Sequence, residues 1–347
     1  MRKTTPALVL LAVGAACSSP RLLLGVSSER LDRADRALAR GEVGEAISLL
    51  EGYVGESIRG SKLLGRAYLE LRQYEKARES FGTVVRLDSG DAEAWAAFAR
   101  ACEAERYFDR AIDAYRKVLE LRPKDAASAR ALAFLLADLH RGPEASQALR
   151  AAASLDPEDL EVRLRLGLVE LERQQLEAAE GAFDLVLSRG GPQPPALLGR
   201  GLARARSAAS AGAESRPGGR TKSELFAAAA RDFEEAAALA AADPAPSYNL
   251  GWMREELQHD AAAAAQAYRE ALRRRPDHAP SLVRLAGIER AAGRREQALE
   301  LSRRARDAAA DPRVQRALEK QIEDLERGSA AGAPDSAPSA SRPANPQ

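Results

Sequence analysis

The sequence predicts an all-α fold assembled from repeated helical hairpins, and three observations predict it. Apolar residues recur at steps of three, four and seven, the spacing of one helix face. The pattern itself repeats: Pro123 and Pro157 lie 34 residues apart, each closing an apolar stretch (Leu-Glu-Leu-Arg-Pro and Ala-Ser-Leu-Asp-Pro). Aromatics make up only 5% of the 347 residues while charged residues reach 30%, a poor composition for a sandwich or barrel and a good one for helices. No stretch alternates apolar and polar, so no strand is expected.

The chain opens with Arg2 and Lys3. Ala7 to Ala15 is apolar, and Gly14, Ala15 and Ala16 lead into Cys17. A basic start, a short apolar stretch and a small-residue exit mark a secretory signal, because a spanning helix needs about 20 apolar residues. A cysteine directly after the small residues resembles a bacterial lipoprotein signal. The resemblance implies removal of residues 1–16, acylation of Cys17 and a tether over 17–26. Ser18 after the anchor implies the outer membrane. Gly14 departs from the Leu usual in that family, and Gly14 and Ala16 also suit plain cleavage after Ala16, so a secreted periplasmic protein is the alternative. Without residues 1–16 the charge balance is 50 basic against 51 acidic.

The repeats follow. With Ala92 as position 1, Trp95, Phe98, Ala99 and Cys102 fall at positions 4, 7, 8 and 11, and Ala111, Tyr115, Val118 and Pro123 at 20, 24, 27 and 32. The frame fits Leu64, Gly65, Tyr68, Ala77, Phe81 and Val84 in 58–91. It fits Leu132, Ala133, Leu136, Ala145, Leu149, Ala152 and Pro157 in 126–159, and Leu166, Gly167, Ala179, Phe183 and Val186 in 160–193. Ala264, Tyr268, Ala271 and Pro276 mark a later second helix, with a one-residue slip after Leu250 and Gly251; Leu285, Ala286, Ala298 and Ala305 mark the last full unit. An abbreviated unit at 27–57 keeps Ala46 and Leu50 in register. Small residues at positions 8 and 20 let paired helices approach closely, and proline at 32 stops the second helix. One hairpin cannot bury its own apolar face, so the hairpins must stack.

Between a first helix at Ala196–Ala205 and a second at about Ser223–Ala242, residues 207–222 carry nothing apolar enough to fold and are expected to be a disordered insertion. Residues 313–327 read as a charged, amphipathic capping helix. Residues 328–347, rich in Ala, Pro and Ser, read as a disordered tail.

Period, small residues and terminal proline together resemble the tetratricopeptide repeat family over residues 27–312. The resemblance implies a right-handed superhelical solenoid of about eight helix-turn-helix repeats. It also implies a concave groove lined by positions 2, 5, 6, 9, 12 and 13 of the first helices. Those positions hold Lys62, Arg66, Arg100, Arg130, Phe134, Leu164, Arg165, Leu168, Tyr248, Asn249, Trp252 and Arg284. The N-terminal part of this set is basic and the remainder mostly apolar. Lys62 and Arg66 reproduce poorly the Lys/Asn clamp by which some family members hold a chaperone tail.

Catalytic constellations are missing. There is no Gly-x-Ser-x-Gly elbow and no phosphate-binding loop ending in Lys-Ser/Thr. Gly199-Arg200-Gly201 lacks the third glycine of a dinucleotide fingerprint and reads as close helix packing. His140, His259 and His278 fall in turns, and along a helix of about 12 residues the last two stand roughly 18 Å apart, so no shared metal is expected. Pairs such as Glu255-Glu256 and Glu234-Glu235 read as solvated helix charges, and Cys102 as a core residue. A balance of 50 to 51 argues against nucleic acid. Neither cofactor nor small-molecule substrate is expected. The expected function is a non-catalytic, membrane-anchored scaffold whose groove binds a peptide or protein partner of an envelope assembly, secretion or export machinery. The alternative is an adaptor for a separate envelope enzyme, a glycosyltransferase or peptidoglycan hydrolase.

Overall fold

The computed structural model describes residues 26–53, 55–210 and 219–327. Cys17, the segments 1–16 and 328–347 and most of the tether lie outside the described residues. Among the described residues there are 17 α-helices and no strands, and no helix is long and apolar enough to cross a membrane.

The chain divides into two units at Leu121/Arg122. The first holds three hairpins: α1 (Ser28–Ala39) with α2 (Val43–Leu50), α3 (Ile58–Glu70) with α4 (Tyr74–Leu87), and α5 (Ala92–Ala104) with α6 (Phe108–Leu121). The second holds five: α7 (Ala126–Asp138) with α8 (Gly142–Leu155), α9 (Leu160–Glu172) with α10 (Leu176–Gly190), α11 (Pro194–Ser210) with α12 (Lys222–Leu239), α13 (Ala245–Trp252) with α14 (Ala261–Arg274), and α15 (Ala279–Ala291) with α16 (Arg295–Ala308). It closes with α17 (Pro312–Arg327). Each unit is a stack of hairpins in which consecutive hairpins pack on one another.

Local signals repeat with the fold. Asp91, Asp125 and Asp159, 34 residues apart, each cap a first helix by accepting a bond from the amide three residues on. The short turns inside seven hairpins each contain one residue at positive φ, Gly41, Arg72, Arg106, His140, Gln174, His259 and Gly293, and the longer α11–α12 connection has Gly219. Six are followed by an amide that reaches back to close the first helix, as Gln73 N does to Tyr68 O at 2.8 Å.

Position 20 lies deep in six of the hairpins: Ala77, Ala111, Ala145, Ala179, Ala264 and Ala298 have no exposed surface. Across from it, position 8 meets the position-24 ring. A Cβ on Gly65, Gly167, Gly201 or Gly251 would lie 2.6 Å from Phe81, Phe183, Phe233 or Tyr268 respectively. Only glycine admits such contact (real Cβ atoms do not come within 3.0 Å).

Two expected boundaries shift. Helix α11 runs on to Ser210 and α12 begins at Lys222, so only 211–218 of the expected insertion lies outside the described residues. Ala205 and Ala208 keep α11 helical there because both are completely buried against α12. The one-residue slip after Gly251 appears as a π turn, Met253–Leu257, closed by Gln258 N to Met253 O at 3.2 Å. An extra residue inserted into a helix is absorbed this way without losing the packed face on either side. At the far end α17 buries Leu318 and Ile322, Leu318 packing with Leu282, Val283 and Ala305.

Candidate interaction surface

The residues expected to bind a partner fall into separate groups. In the first unit, Lys62 and Arg66 of α3 face acids on either side. Lys62 Nζ lies 2.7 Å from Asp91 and 3.5 Å from Glu93. Burial alone would pull its ammonium down, but these carboxylates hold it above its ordinary value. Arg66 reaches Asp35 at 3.8 Å, and Arg59 holds Asp32 at 2.7 Å. The expected basic patch is therefore a neutralised ladder, because Arg59 and Arg66 of α3 pair with acids of α1 and Lys62 with acids at the start of α5. Arg100 is exposed beside Leu69, Tyr74 and Glu103.

In the second unit α7 and α9 bring three predicted residues into one stack. The guanidinium of Arg130 lies 4.5 Å from the centre of the Phe134 ring and that of Arg165 4.1 Å from it. Asp159 fixes Arg130 at 2.9 Å, while Asp138 and Glu161 fix Arg165 at 2.6 and 3.2 Å. Phe134 thus offers a cation-covered ring instead of a bare aromatic face. Leu164, Leu168 and Trp252 are half-buried, all packed against the core cluster around Phe183 and Phe233.

Tyr248 and Asn249 correct the expectation. They are 2% and 0% exposed, and so belong to the interior. Helix α13 is buried continuously from Pro246 to Gly251, so it has no solvent face on which positions 5 and 6 could stand. The Tyr248 ring lies 5.8 Å from Tyr268 and 5.5 Å from His278, and Asn249 Nδ2 donates to Ala245 O at 3.0 Å. Arg284 stays accessible over only 15% of its side chain and pairs with Glu256, with Glu255 at 3.7 Å.

Two readings of charged residues also change. Glu255 is not a solvated helix charge: it accepts a bond from Tyr268 Oη at 2.7 Å, and burial raises its pKa. His278 is no free turn histidine, since Nδ1 sits 2.8 Å from Ser281 Oγ and burial lowers its pKa.

Sequence reasoning missed the buried ion networks. Arg204 joins Glu180 at 2.6 Å to Asp232 at 2.8 Å, Arg200 joins Asp232 at 2.7 Å to Asp184 at 2.8 Å, and Arg220 forks onto Glu180 at 2.6 and 2.7 Å. Burial raises Asp232 in spite of its two arginines. For Glu180, Arg220 and Arg204 outweigh burial and lower it. Glu170, completely buried, takes Arg150, Arg173 and Ser146. Glu289 takes Arg269 at 2.7 Å and Arg294. Glu170, Arg204 and Glu289 all occupy position 11, the position of Cys102 and Leu136. A charge at a core position was the available signal.

These arrangements bind and brace. Among the described residues no group of three or more His, Cys, Asp and Glu side chains is placed to hold a metal ion.

Solved structures share the fold. A tetratricopeptide repeat protein from Parabacteroides merdae aligns over 77% of this chain and 98% of its own, with a TM-score of 0.51 and 15% identity. YrrB, described as a tetratricopeptide repeat protein with an unusual peptide-binding site, aligns over 59% and 97% with a TM-score of 0.48 and 18% identity. MamA does so over 45% and 94%, with a TM-score of 0.43 and 21% identity. No curated protein matches the chain. Tetratricopeptide repeat models match residues 62–126, 130–195 and 257–320, together more than half of the 347 residues. With hairpins, small-residue contacts and capped turns recurring in the same frame, the chain belongs to the tetratricopeptide repeat family, whose members generally serve as protein-interaction scaffolds.

Proposed function

We propose that this protein is a lipid-anchored, non-catalytic scaffold of a bacterial envelope, holding a peptide or protein segment of an assembly, secretion or export apparatus. The observation that carries the binding role is the surface of α7, α9 and α13. There Leu164, Leu168 and Trp252 stay half-buried against one core cluster, and Leu164 adjoins Arg165 of the Arg130–Phe134–Arg165 stack. A partner side chain laid on them removes further apolar area from water, about 25 cal/mol per Å². Aromatic and arginine side chains in such settings dominate interface energies. The anchor rests on the order basic start, apolar stretch, small residues and Cys17. One or more acyl chains there would tether the stack while leaving its hairpins in water.

Two experiments test the reading. Radiolabelled palmitate should enter the wild type and not Cys17→Ala; equal labelling removes the anchor. Partners recovered from detergent-solubilised envelope should fall with Trp252→Ala and Phe134→Ala. Recovery of the same partners at wild-type levels by both variants removes the binding surface.

A further inference from the structure

A second surface lies on α14, α15 and α16 and includes none of Leu164, Leu168, Trp252, Arg130, Phe134 and Arg165. A groove of about 370 Å³ there has Leu272, Leu285 and Leu301 among its lining residues and Arg269, Arg273 and Arg304 among its charged ones. It meets, at Arg269, a hollow of about 640 Å³ whose apolar lining includes Ala262, Ala265, Ile288 and Ala291.

The charges around this trough do not balance. Arg269 and Arg294 share a single carboxylate, that of Glu289, which is itself 2% exposed. Arg273 and Arg274 share Glu270. Arg304 donates to Pro276 O at 3.0 Å and makes no ion pair among the described residues. Glu300 and, in the second hollow, Glu255 are the remaining acids of the lining, and Glu255 already accepts from Tyr268 Oη at 2.7 Å. Four lining guanidiniums, Arg269, Arg273, Arg294 and Arg304, thus face three lining carboxylates, Glu255, Glu289 and Glu300. The heads of Arg269 and Arg273 remain 53% and 77% exposed, free to take further acceptors.

We propose that this trough docks an acidic amphipathic segment of a partner protein. Its carboxylates would meet Arg269, Arg273 and Arg304, and its bulky apolar side chains would enter the two hollows. Excess cationic charge selects carboxylates and steers the encounter, and guanidinium forks match carboxylate geometry. The leucine lining selects protein over nucleic acid, because a phosphate backbone would leave Leu272 and Leu301 uncovered.

The test is fluorescence anisotropy with the full chain and two labelled synthetic amphipathic peptides, one of Leu and Glu, the other with Lys in place of Glu. The Glu peptide should bind and weaken as salt rises, while the Lys peptide should not bind. Arg273→Glu combined with Arg304→Glu should weaken it about ten-fold or more, equivalent to 1.4 kcal/mol. Ala262→Trp, which places a side chain in the open hollow, should weaken it as well, and Trp252→Ala should not. Equal binding of the two peptides, or undiminished binding by both trough variants, overturns the proposal. So does full displacement by a DNA duplex of equal charge. Should the charge reversal lose its helical signal, Ala262→Trp decides. Loss of binding in Trp252→Ala alone would place the peptide on the surface of α7, α9 and α13, against this proposal and for the other.

Discussion

The ring of Phe183 rests against the backbone of Gly199, so close that a Cβ there would lie 2.4 Å from Cζ. The same ring meets Gly167 of its own hairpin at 2.6 Å. One aromatic side chain therefore fastens a hairpin internally and to its successor, and glycine is required on both sides.

Gly199→Ala should destabilise the second unit by about 1–3 kcal/mol, since Phe183 is wholly buried and cannot withdraw. Gly181→Ala is the matched control. It lies in helix α10 with open space around it and should stabilise by about 0.5–1 kcal/mol. Thermal melts of the two variants should move in opposite directions.

Asp232 joins Arg200 and Arg204 and is 3% exposed, whereas Asp184, bound to the same arginines, keeps 48% of its side chain in water. Asp232→Asn should cost on the order of 1–3 kcal/mol, because it removes the buried carboxylate that Arg200 and Arg204 share and leaves them only Asp184 and Glu180. Asp184→Asn should cost at most about 1 kcal/mol. Urea midpoints that fall equally would show that burial does not set the energetics of this network.

Acid should weaken the stacks through Glu180 and Glu289. Both carboxyls are held below the ordinary 4.5 in the folded chain by paired arginines that outweigh burial. A depressed folded pKa contributes stability above the unfolded value and loses it as pH falls through the folded one. The share of the urea midpoint that these two groups supply should hold steady above 4.5 and drop below it. Glu289→Gln should flatten part of that drop.

Burial pushes the Cys102 thiol up to about 11 from 9.0. At pH 8 the Cys17→Ser variant should therefore resist iodoacetamide while folded and react once urea exposes the thiol. A raised thiol pKa adds stability below 9.0 that is lost as pH climbs towards 11. Rapid labelling of the folded chain would show that the α5–α6 hairpin opens readily.

The repeat could be seen from the sequence because each hairpin solves the same packing problem with nearly the same residues. Small side chains at positions 8 and 20, a large one at 24 and aspartate caps 34 residues apart are local rules. Even the slip after Gly251 left its mark, since a residue too many in the frame must go somewhere, and it went into the π turn at Met253–Leu257. The partner-facing side chains were less legible. Position 5 of α9 carries Leu164 at a partly open surface, whereas position 5 of α13 carries Tyr248 in the core. Position within a repeat does not report how many neighbours a particular helix has.

What the amino-acid order determined by itself was therefore everything periodic: helices, turns, caps and the close contacts inside a hairpin, all set by residues fewer than 34 apart along the chain. Tertiary structure alone decided which charges pair and which faces remain open. Arg220 finds Glu180 forty residues away, and Arg269 and Arg294 converge on Glu289 from opposite sides in sequence. Such pairings depend on how long, mobile side chains meet across separate helices in a medium of low polarity. No local pattern encodes that geometry, so it emerges only when the hairpins are stacked.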